Sequence, residues 1–551
     1  MRRALLVALA ACSSHSITGA ISAHVTHYDF TFDLDSRVAH ATVTATVDTA
    51  GDCWTLPYRS GTPTNVKMNG AGVDSASLDG MSITACGDGV KAGAQLVLDL
   101  DATFALATLG PSQVGYSVTM DAQQNPFYYL VSWVGGCDQF TPCDNAPNVF
   151  ATYHFDVTHD ASLVARCPGT VVDVSPTETT CDFEFDGGPT YSTFGVAAYP
   201  AWTTTDEGMW GQSGVHVTVY DRASTGILAK IDPTYHSGFI SFMEQTFGPF
   251  PYGAELRVLT APTYWNGFEH PTNIVLADTL ATQKNSGYAN NTAHVLDHEM
   301  AHMWAGDQTT LADTYDFAWK EAMAEYLAFV WEDMNDTNVS LTTAGAWKSF
   351  GLQAKYYAVP SDSPRPSLFD YYGDVYGPGP MILFRQVEVM SSRAAVIAAL
   401  QSVLGTPHAI SVDDVLAALA QQSGLDLTSY AQAWLEGSGT PSWPSFDLTF
   451  TAGSGATSTL VIDDVNATTP YKGCQFQITL AGANPGELAY VPVDTFHGGP
   501  SQTLTVATPS FAVTTMTVDD QHQCMAFAHT VSARSVERRN PWVSPHGAAA
   551  H

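Results

Sequence analysis

Two periodicities divide this chain. From about residue 21 to 204, apolar and polar positions alternate in short runs such as HVTHYDFTFDL and HATVTATVDT, broken by Gly, Pro and Asp. A period of two places successive side chains on opposite faces of a strand, so the stretch predicts an all-β amino-terminal domain. From about 205 the pattern turns mixed and then helical. Apolar residues recur three and four apart through HVLDHEMAHMWAGD, DFAWKEAMAEYLAFVWED, AAVIAALQSVL, VDDVLAALAQQ and TSYAQAWLEG. The Gly-, Ser- and Pro-rich GSGTPSWPS marks a boundary near 440. Beyond it FDLTFTAG, STLVIDDV, GCQFQITLAG and SQTLTVATPS alternate again, predicting a small β-sandwich over 441–533. Residues 534–551 show no apolar period and read as a mobile tail. The fold class is therefore multidomain α+β, with a mainly helical domain over 205–440 between two β domains.

The helical stretch carries the chemistry. HVLDHEMAHMWAGD has Val295, Leu296, Ala301, Met303 and Trp304 for packing and no Gly or Pro before Gly306, so it reads as a buried helix. Residues four apart on a helix lie one turn above each other, so His298 and His302 present their rings to one point. Glu299 leans toward the same face without joining the ligands, where a general base for water belongs. In the next helix Glu321 sits among Phe317, Ala318, Ala322 and Ala324. An unpaired carboxylate on an apolar face is costly, so Glu321 has a cation to meet. Two imidazoles and a carboxylate form a zinc ligand set that leaves one position for water, and one Zn²⁺ per chain is expected. Glu325, one turn on, either accepts a hydrogen bond from a liganding histidine or is solvated.

Four separated stretches resemble the aminopeptidase N family of zinc metallopeptidases, peptidase family M1. HEMAHMWAGD resembles the family's HExxH-x-W-x-G-N, and KEAMAEY stands where the family has N-E-G-F-A-x-Y. WNGFEHP resembles its G-x-M-E-N substrate loop, and FTPCDNAPNVFATYHFDV a segment of its amino-terminal sheet domain. The resemblance covers about residues 25 to 440. It implies a thermolysin-like catalytic domain, zinc on His298, His302 and Glu321, and a peptide substrate with a free amino terminus. Glu269 would bind that amine, and Gly267 would let its backbone approach the substrate. Tyr376, at the start of Y-x-x-G in DVYGPGPMILF, would donate to the developing oxyanion, with Tyr371 and Tyr372 as alternatives and Met381, Ile382 and Leu383 opening a helix. Glu299 would take the proton from water and pass it to the leaving amine. An epoxide hydrolase, a tripeptide-trimming enzyme and an inactive peptide-binding relative are the other readings of the same scaffold.

Departures from the family pattern bear on specificity. Lys320 replaces Asn beside the ligand, Ala322 replaces Gly, His270 replaces Asn and Phe268 replaces Met. Asp297 adds a negative charge before the first His, and Trp133 stands near the place of a substrate-facing Gln.

Composition adds the compartment. With 21 basic against 54 acidic residues the net charge is −33, which disfavours nucleic acid and anionic membranes as partners. MRRALLVALAAC reads as an export signal within residues 1–20. Leu9-Ala10-Ala11-Cys12 also matches a lipoprotein cleavage box, which would leave Cys12 as a lipid anchor. The eight other Cys suggest the local pairs Cys53–Cys86, Cys137–Cys143, Cys167–Cys181 and Cys474–Cys524, though eight Cys allow 105 connectivities. An even number in an exported chain points to an oxidising compartment, whether secreted, periplasmic or at the cell surface. No later stretch is long and apolar enough to span a membrane, and a monomer is expected.

Overall fold

The alternating segments pair where their apolar faces can be covered. The structure, a computed structural model, describes residues 17–534 apart from 60, 105, 107–114, 122, 264, 285 and 286. The export-type leader through Cys12 and the tail from 535 lie outside the described residues. The chain divides into two compact units: Met1–Ala229 with Phe250–Ala281 and Thr406–His408, and Lys230–Pro249 with Thr282–Gly405 and Ala409–His551.

The first unit is built on strands. Ala20–Asp33 pairs antiparallel with Val38–Thr49 and parallel with Thr152–Thr158 inside an eleven-stranded sheet. Its alternation buries Tyr28, Phe30 and Phe32 on one face, where they stack with Tyr153 and Phe155 and meet the edge of Phe194. A four-stranded sheet holds Gly115–Met120, Pro126–Val131, Val164–Arg166 and Gly195–Tyr199. A five-stranded sheet follows the order Thr203–Trp210, Val215–Asp221, Glu255–Ala261, Asn273–Ala277, Gly267–Phe268. The last of these is a short edge strand, with Gly267 opposite Leu276 and Phe268 opposite Val275. Cys53 and Cys86 face each other across paired strands and are bonded, as are Cys137–Cys143 and Cys167–Cys181.

The second unit is mainly helical. Helix α1 (Pro233–Phe247) starts with Pro in its first turn, where no amide donor is needed, and Asp232 caps it through the amides of Thr234 and Tyr235. Helix α2 (Asn291–Ala301) is capped by the Asn290 side chain on the amide of Ala293. Helix α3 (Phe317–Asn335) is buried nearly all round, with Trp319, Met323, Tyr326, Leu327 and Val330 inaccessible or nearly so, as befits a central helix. Helix α4 (Thr337–Gly351) and helix α5 (Leu368–Tyr376) follow. The run expected to open a helix at Met381 instead makes a π-helical turn over Met381–Arg385, with the Gln386 amide bonded to Met381 O. Pro378 and Pro380 remove two amide donors just ahead of this turn.

The chain ends in two further sheets. One runs in the order Ser501–Ala507, Thr457–Asp464, Ser445–Thr451, Phe527–Arg534; the other, Leu488–Asp494, Gln475–Ala481, Thr515–Val518. Phe446 and Phe476 pack between them at 5.2 Å, and Cys474–Cys524 ties the second sheet to the final strand's approach. These sheets dock on the helices through buried polar contacts. Lys348 of α4 donates to Asp519 Oδ2 at 2.6 Å and to Ala526 O at 2.8 Å, and Trp443 Nε1 donates to Gly351 O. Among the described residues no helix is long and apolar enough to cross a membrane.

Candidate active site

A ladder of histidines and glutamates joins α2 to α3. His294, His298 and His302 lie four apart and share one stripe of the α2 helix and its C-terminal turn. Glu321, Glu325 and Glu332 share one stripe of α3. The helices run antiparallel, so the stripes pair rung by rung. Glu321 lies 3.3 Å from His298 Nε2 and 3.6 Å from His302 Nε2. Glu325 Oε1 lies 3.2 Å from His298 Nδ1 and 3.0 Å from His294 Nε2. Glu332 closes the ladder at 2.9 Å from His294 Nδ1. All six side chains are buried.

The first rung fits a metal ion. The two Nε2 atoms are 3.0 Å apart. Together with the distances to Glu321 this matches the roughly 3.3 Å edge of a tetrahedron around zinc with bonds of about 2.05 Å. His298, Glu299 and His302 also bring one ligand atom each within 4.8 Å of one another. The other nitrogen of each imidazole faces an oxygen. His302 Nδ1 donates to Ala305 O at 2.9 Å, which makes Nε2 the nitrogen that carries the lone pair, and His298 Nδ1 faces Glu325. Gly306 makes the first brace possible: its φ of +140° suits glycine, and a Cβ there would stand 3.0 Å from His302 Nδ1 and 2.9 Å from Lys320 Cε.

Carboxyl groups gather around this rung. Glu299, Glu321, Glu325 and Glu332 are buried here, and Lys320 and His294 are the cations set against them. Lys320 is fully buried, with Nζ 2.8 Å from Glu321 Oε1 and 3.4 Å from His302 Nε2. Burial would raise the Glu321 carboxyl, but Lys320 and both imidazoles hold it well below the usual carboxylate range. Burial and Lys320 hold His302 below its ordinary value, so its ring is neutral. Burial opposes charge on His298 as well, yet hydrogen bonds to Glu321 and Glu325 push it up to about 10, a field that a metal ion on Nε2 answers equally well. Asp297, expected to add charge at the site, is turned a quarter of the helix away. It pairs instead with His236 of α1 at 2.8 Å, and burial pushes it up to about 6.

Of the three candidate tyrosines, Tyr376 has its ring 5.4 Å from that of His298. Its hydroxyl engages Glu325, and burial followed by the charge of Glu325 pushes it well above the usual phenol range. The Tyr371 hydroxyl is bonded to Ala358 O, and the Tyr372 ring packs on Phe317 at 5.3 Å. Tyr288 stacks on His294 with ring centres 3.9 Å apart and points its hydroxyl at Glu325, 3.4 Å away. Trp347 Nε1 donates to the same carboxylate at 2.7 Å. Sequence reasoning missed His294, Glu332, Tyr288 and Trp347. The first two were visible as continuations of the His and Glu stripes, four residues before His298 and seven after Glu325.

Gly267 and Glu269 belong to the first unit. Glu269 follows the edge strand and is buried, with its carbonyl accepting from Ser192 Oγ at 3.3 Å. Buried Tyr129 lies close enough for the Glu269 charge to add to the effect of burial on its phenol. His270 Nδ1 bonds Ser192 O at 2.6 Å and fills the space a Cβ at Gly195 would need. Trp133 packs against Trp265 at 6.1 Å.

Two helices thus present a His–His–Glu set, with a glutamate beside it, that fits a metal ion. Residues 235–368 match the peptidase family M1 domain. Aminopeptidase N of Streptomyces lividans is 24% identical over 319 residues, 53% of this chain and 36% of that relative, so the chain spans little more than a third of its length. An M1 zinc metallopeptidase from Deinococcus radiodurans, solved with a Tyr-Ser-Ala substrate, superposes with a TM-score of 0.62 at 20% identity, covering 76% of this chain and 96% of that one. Legionella pneumophila aminopeptidase A, solved with aspartic acid, gives 0.70 at 15% identity over 92% of this chain and 59% of that one. The family and these neighbours imply zinc, in agreement with the donor set.

Proposed function

We propose that this protein is an exported zinc aminopeptidase that removes single residues from the free amino terminus of peptides. The observation that carries the proposal is the buried set His298, His302 and Glu321, spaced for a tetrahedral ion, with Glu299 beside it. Zinc, when bound there, supplies Lewis acidity that polarises a carbonyl and acidifies water. Glu299 accepts the proton from the attacking water and delivers it to the departing amine. The Tyr376 hydroxyl leaves Glu325 to donate to the oxygen on which charge develops. The requirement for a free amine rests on the WNGFEHP motif, in which Glu269 supplies the opposite charge and Gly267 the close backbone approach. Four disulfides support an oxidising compartment. The domain reading retains a β domain over 21–204, a catalytic domain over 205–440 and a carboxy-terminal sandwich over 441–533.

The test is a peptide series with free amino termini against the same series N-acetylated, read by mass spectrometry with and without a zinc chelator. Chelator-sensitive loss of single residues from the free peptides alone is expected. Internal cleavage of both series would make the protein an endopeptidase and remove the role of Glu269.

A further inference from the structure

The ladder does not stop at the metal site, and its far rung has no part in the reaction as derived so far. His294 sits between Glu325 and Glu332 with both ring nitrogens engaged, at 3.0 Å and 2.9 Å. A neutral imidazole has one donor and one acceptor nitrogen, whereas two flanking carboxylates are both acceptors. With both carboxyl groups ionised, the doubly protonated ring satisfies both contacts. All three groups are buried, so no solvent counter-ion substitutes for that charge. Tyr288 covers one face of the ring, and Thr343 Oγ1 donates to the outer oxygen of Glu332 at 2.6 Å. The arrangement is a built cage for one cation.

We propose that His294, held between Glu325 and Glu332, fixes the Glu325 carboxyl group in place behind His298, which makes it a positioning residue two contacts removed from the metal site. Glu325 collects Trp347 Nε1, His294 Nε2 and His298 Nδ1 on its two oxygens, with the Tyr288 and Tyr376 hydroxyls alongside. Without His294 behind it, Glu325 would lose one of the contacts that fix its carboxyl group and could turn away from His298. The direction of the His294 shift agrees: burial opposes its charge, yet Glu325 and Glu332 push it up to about 10. A fixed Glu325 orients the His298 ring toward the metal site, and the same carboxyl group lies against the Tyr376 hydroxyl. One imidazolium thus supports both a metal ligand and the oxyanion donor. Metal sites commonly use a carboxylate behind a histidine; here a second histidine and a second carboxylate are stacked behind that, in the order ligand, Glu325, His294, Glu332.

This inference rests on the zinc reading of the first rung but not on peptide cleavage, so its primary readout is zinc affinity by chelator competition, measured without substrate. His294→Gln should weaken zinc binding at least tenfold. Glu325→Gln should do the same, and the double variant should bind zinc no more weakly than Glu325→Gln alone, because His294 acts through that carboxylate. Should His294→Gln fail to fold, Glu332→Gln carries the test. It keeps an acceptor for His294 Nδ1, removes one charge, and should weaken zinc binding by at least threefold while the metal-free protein unfolds as wild type does. Zinc affinity of His294→Gln or Glu332→Gln within twofold of wild type would overturn the proposal. Losses that multiply in the double variant would overturn it too, since they would show His294 acting independently of Glu325.

Discussion

The two histidines of the metal set are held in different ways, although they sit one turn apart on the same element. His302 is braced by its own neighbourhood: its Nδ1 donates to Ala305 O three residues on, in a turn that Gly306 allows. His298 is braced from the next helix, by a carboxylate that is itself held by Trp347 of α4 and by His294 one turn back along α2. A backbone carbonyl is neutral and fixed by the chain's own path. A buried carboxylate is ionised only while its partners keep it so. One ligand is therefore robust to changes elsewhere in the protein, and the other depends on packing among three helices.

The face that the two histidines share should be the most sensitive. Glu299→Gln keeps the ligand set but removes the proton acceptor, so zinc content should stay at one per chain while turnover falls on the order of 10²–10⁴-fold. A variant that retained a tenth of wild-type activity would dismiss Glu299 as the base. On the His298 side, Tyr376→Phe should lower kcat by roughly 10²-fold with little change in KM, because it removes a donor that acts on developing charge. Tyr372→Phe should leave kcat near wild type; the opposite pattern would move the role to Tyr372.

The local brace of His302 can be broken alone. Gly306→Ala forces a β-carbon into a backbone region that favours glycine and against His302 Nδ1 at 3.0 Å. It should cost about 1–3 kcal/mol in thermal unfolding and weaken zinc binding, while the metal-free packing around Glu325 stays intact. Equal zinc affinity in this variant and wild type would show that the turn is not the brace.

The smallest effect lies farthest from the metal. His522 is held down to about 4 by burial and by the nearby Lys348 charge, with Asp520 opposing and Arg385 adding to it. An unfolded histidine titrates near 6.5. Between those values the unfolded chain binds a proton that the folded chain refuses, so stability falls as pH drops from about 6.5 toward 4. His522→Gln should flatten that part of the profile relative to wild type, measured as unfolding midpoints at pH 4.5 and pH 7. Parallel profiles would dissociate His522 from the acid sensitivity of the carboxy-terminal sheets' contact with α4.

How much of this was legible in the sequence depends on how local each feature is. The candidate ligands are legible because helical spacing sets i and i+4 on one face and because a carboxylate among apolar neighbours needs a cation, and Glu299 is legible from its place between the two histidines. The four disulfides match the order in which the cysteines occur. Glu325 was left between two roles, since spacing puts it one turn from Glu321 but does not say what lies opposite. Asp297 was expected near the site and points to His236, because one residue of helix turns a side chain through about a quarter of a circle. The π-helical turn after Pro380 was read as ordinary helix, since its apolar residues suit either geometry.

By itself, then, the sequence determined the alternating sheets and the helical middle, and it suggested the local cysteine pairs and a candidate ligand set, all from periodicity or from residues close in the chain. Only the tertiary structure decided that the ligand stripe of α2 meets a glutamate stripe of α3, that His294 fills the rung behind the metal, and that Tyr376 faces His298 while Tyr371 is spent on a backbone carbonyl. The reason is physical: a helix stripe specifies which side chains travel together, but their partners are chosen by the register in which two buried helices pack.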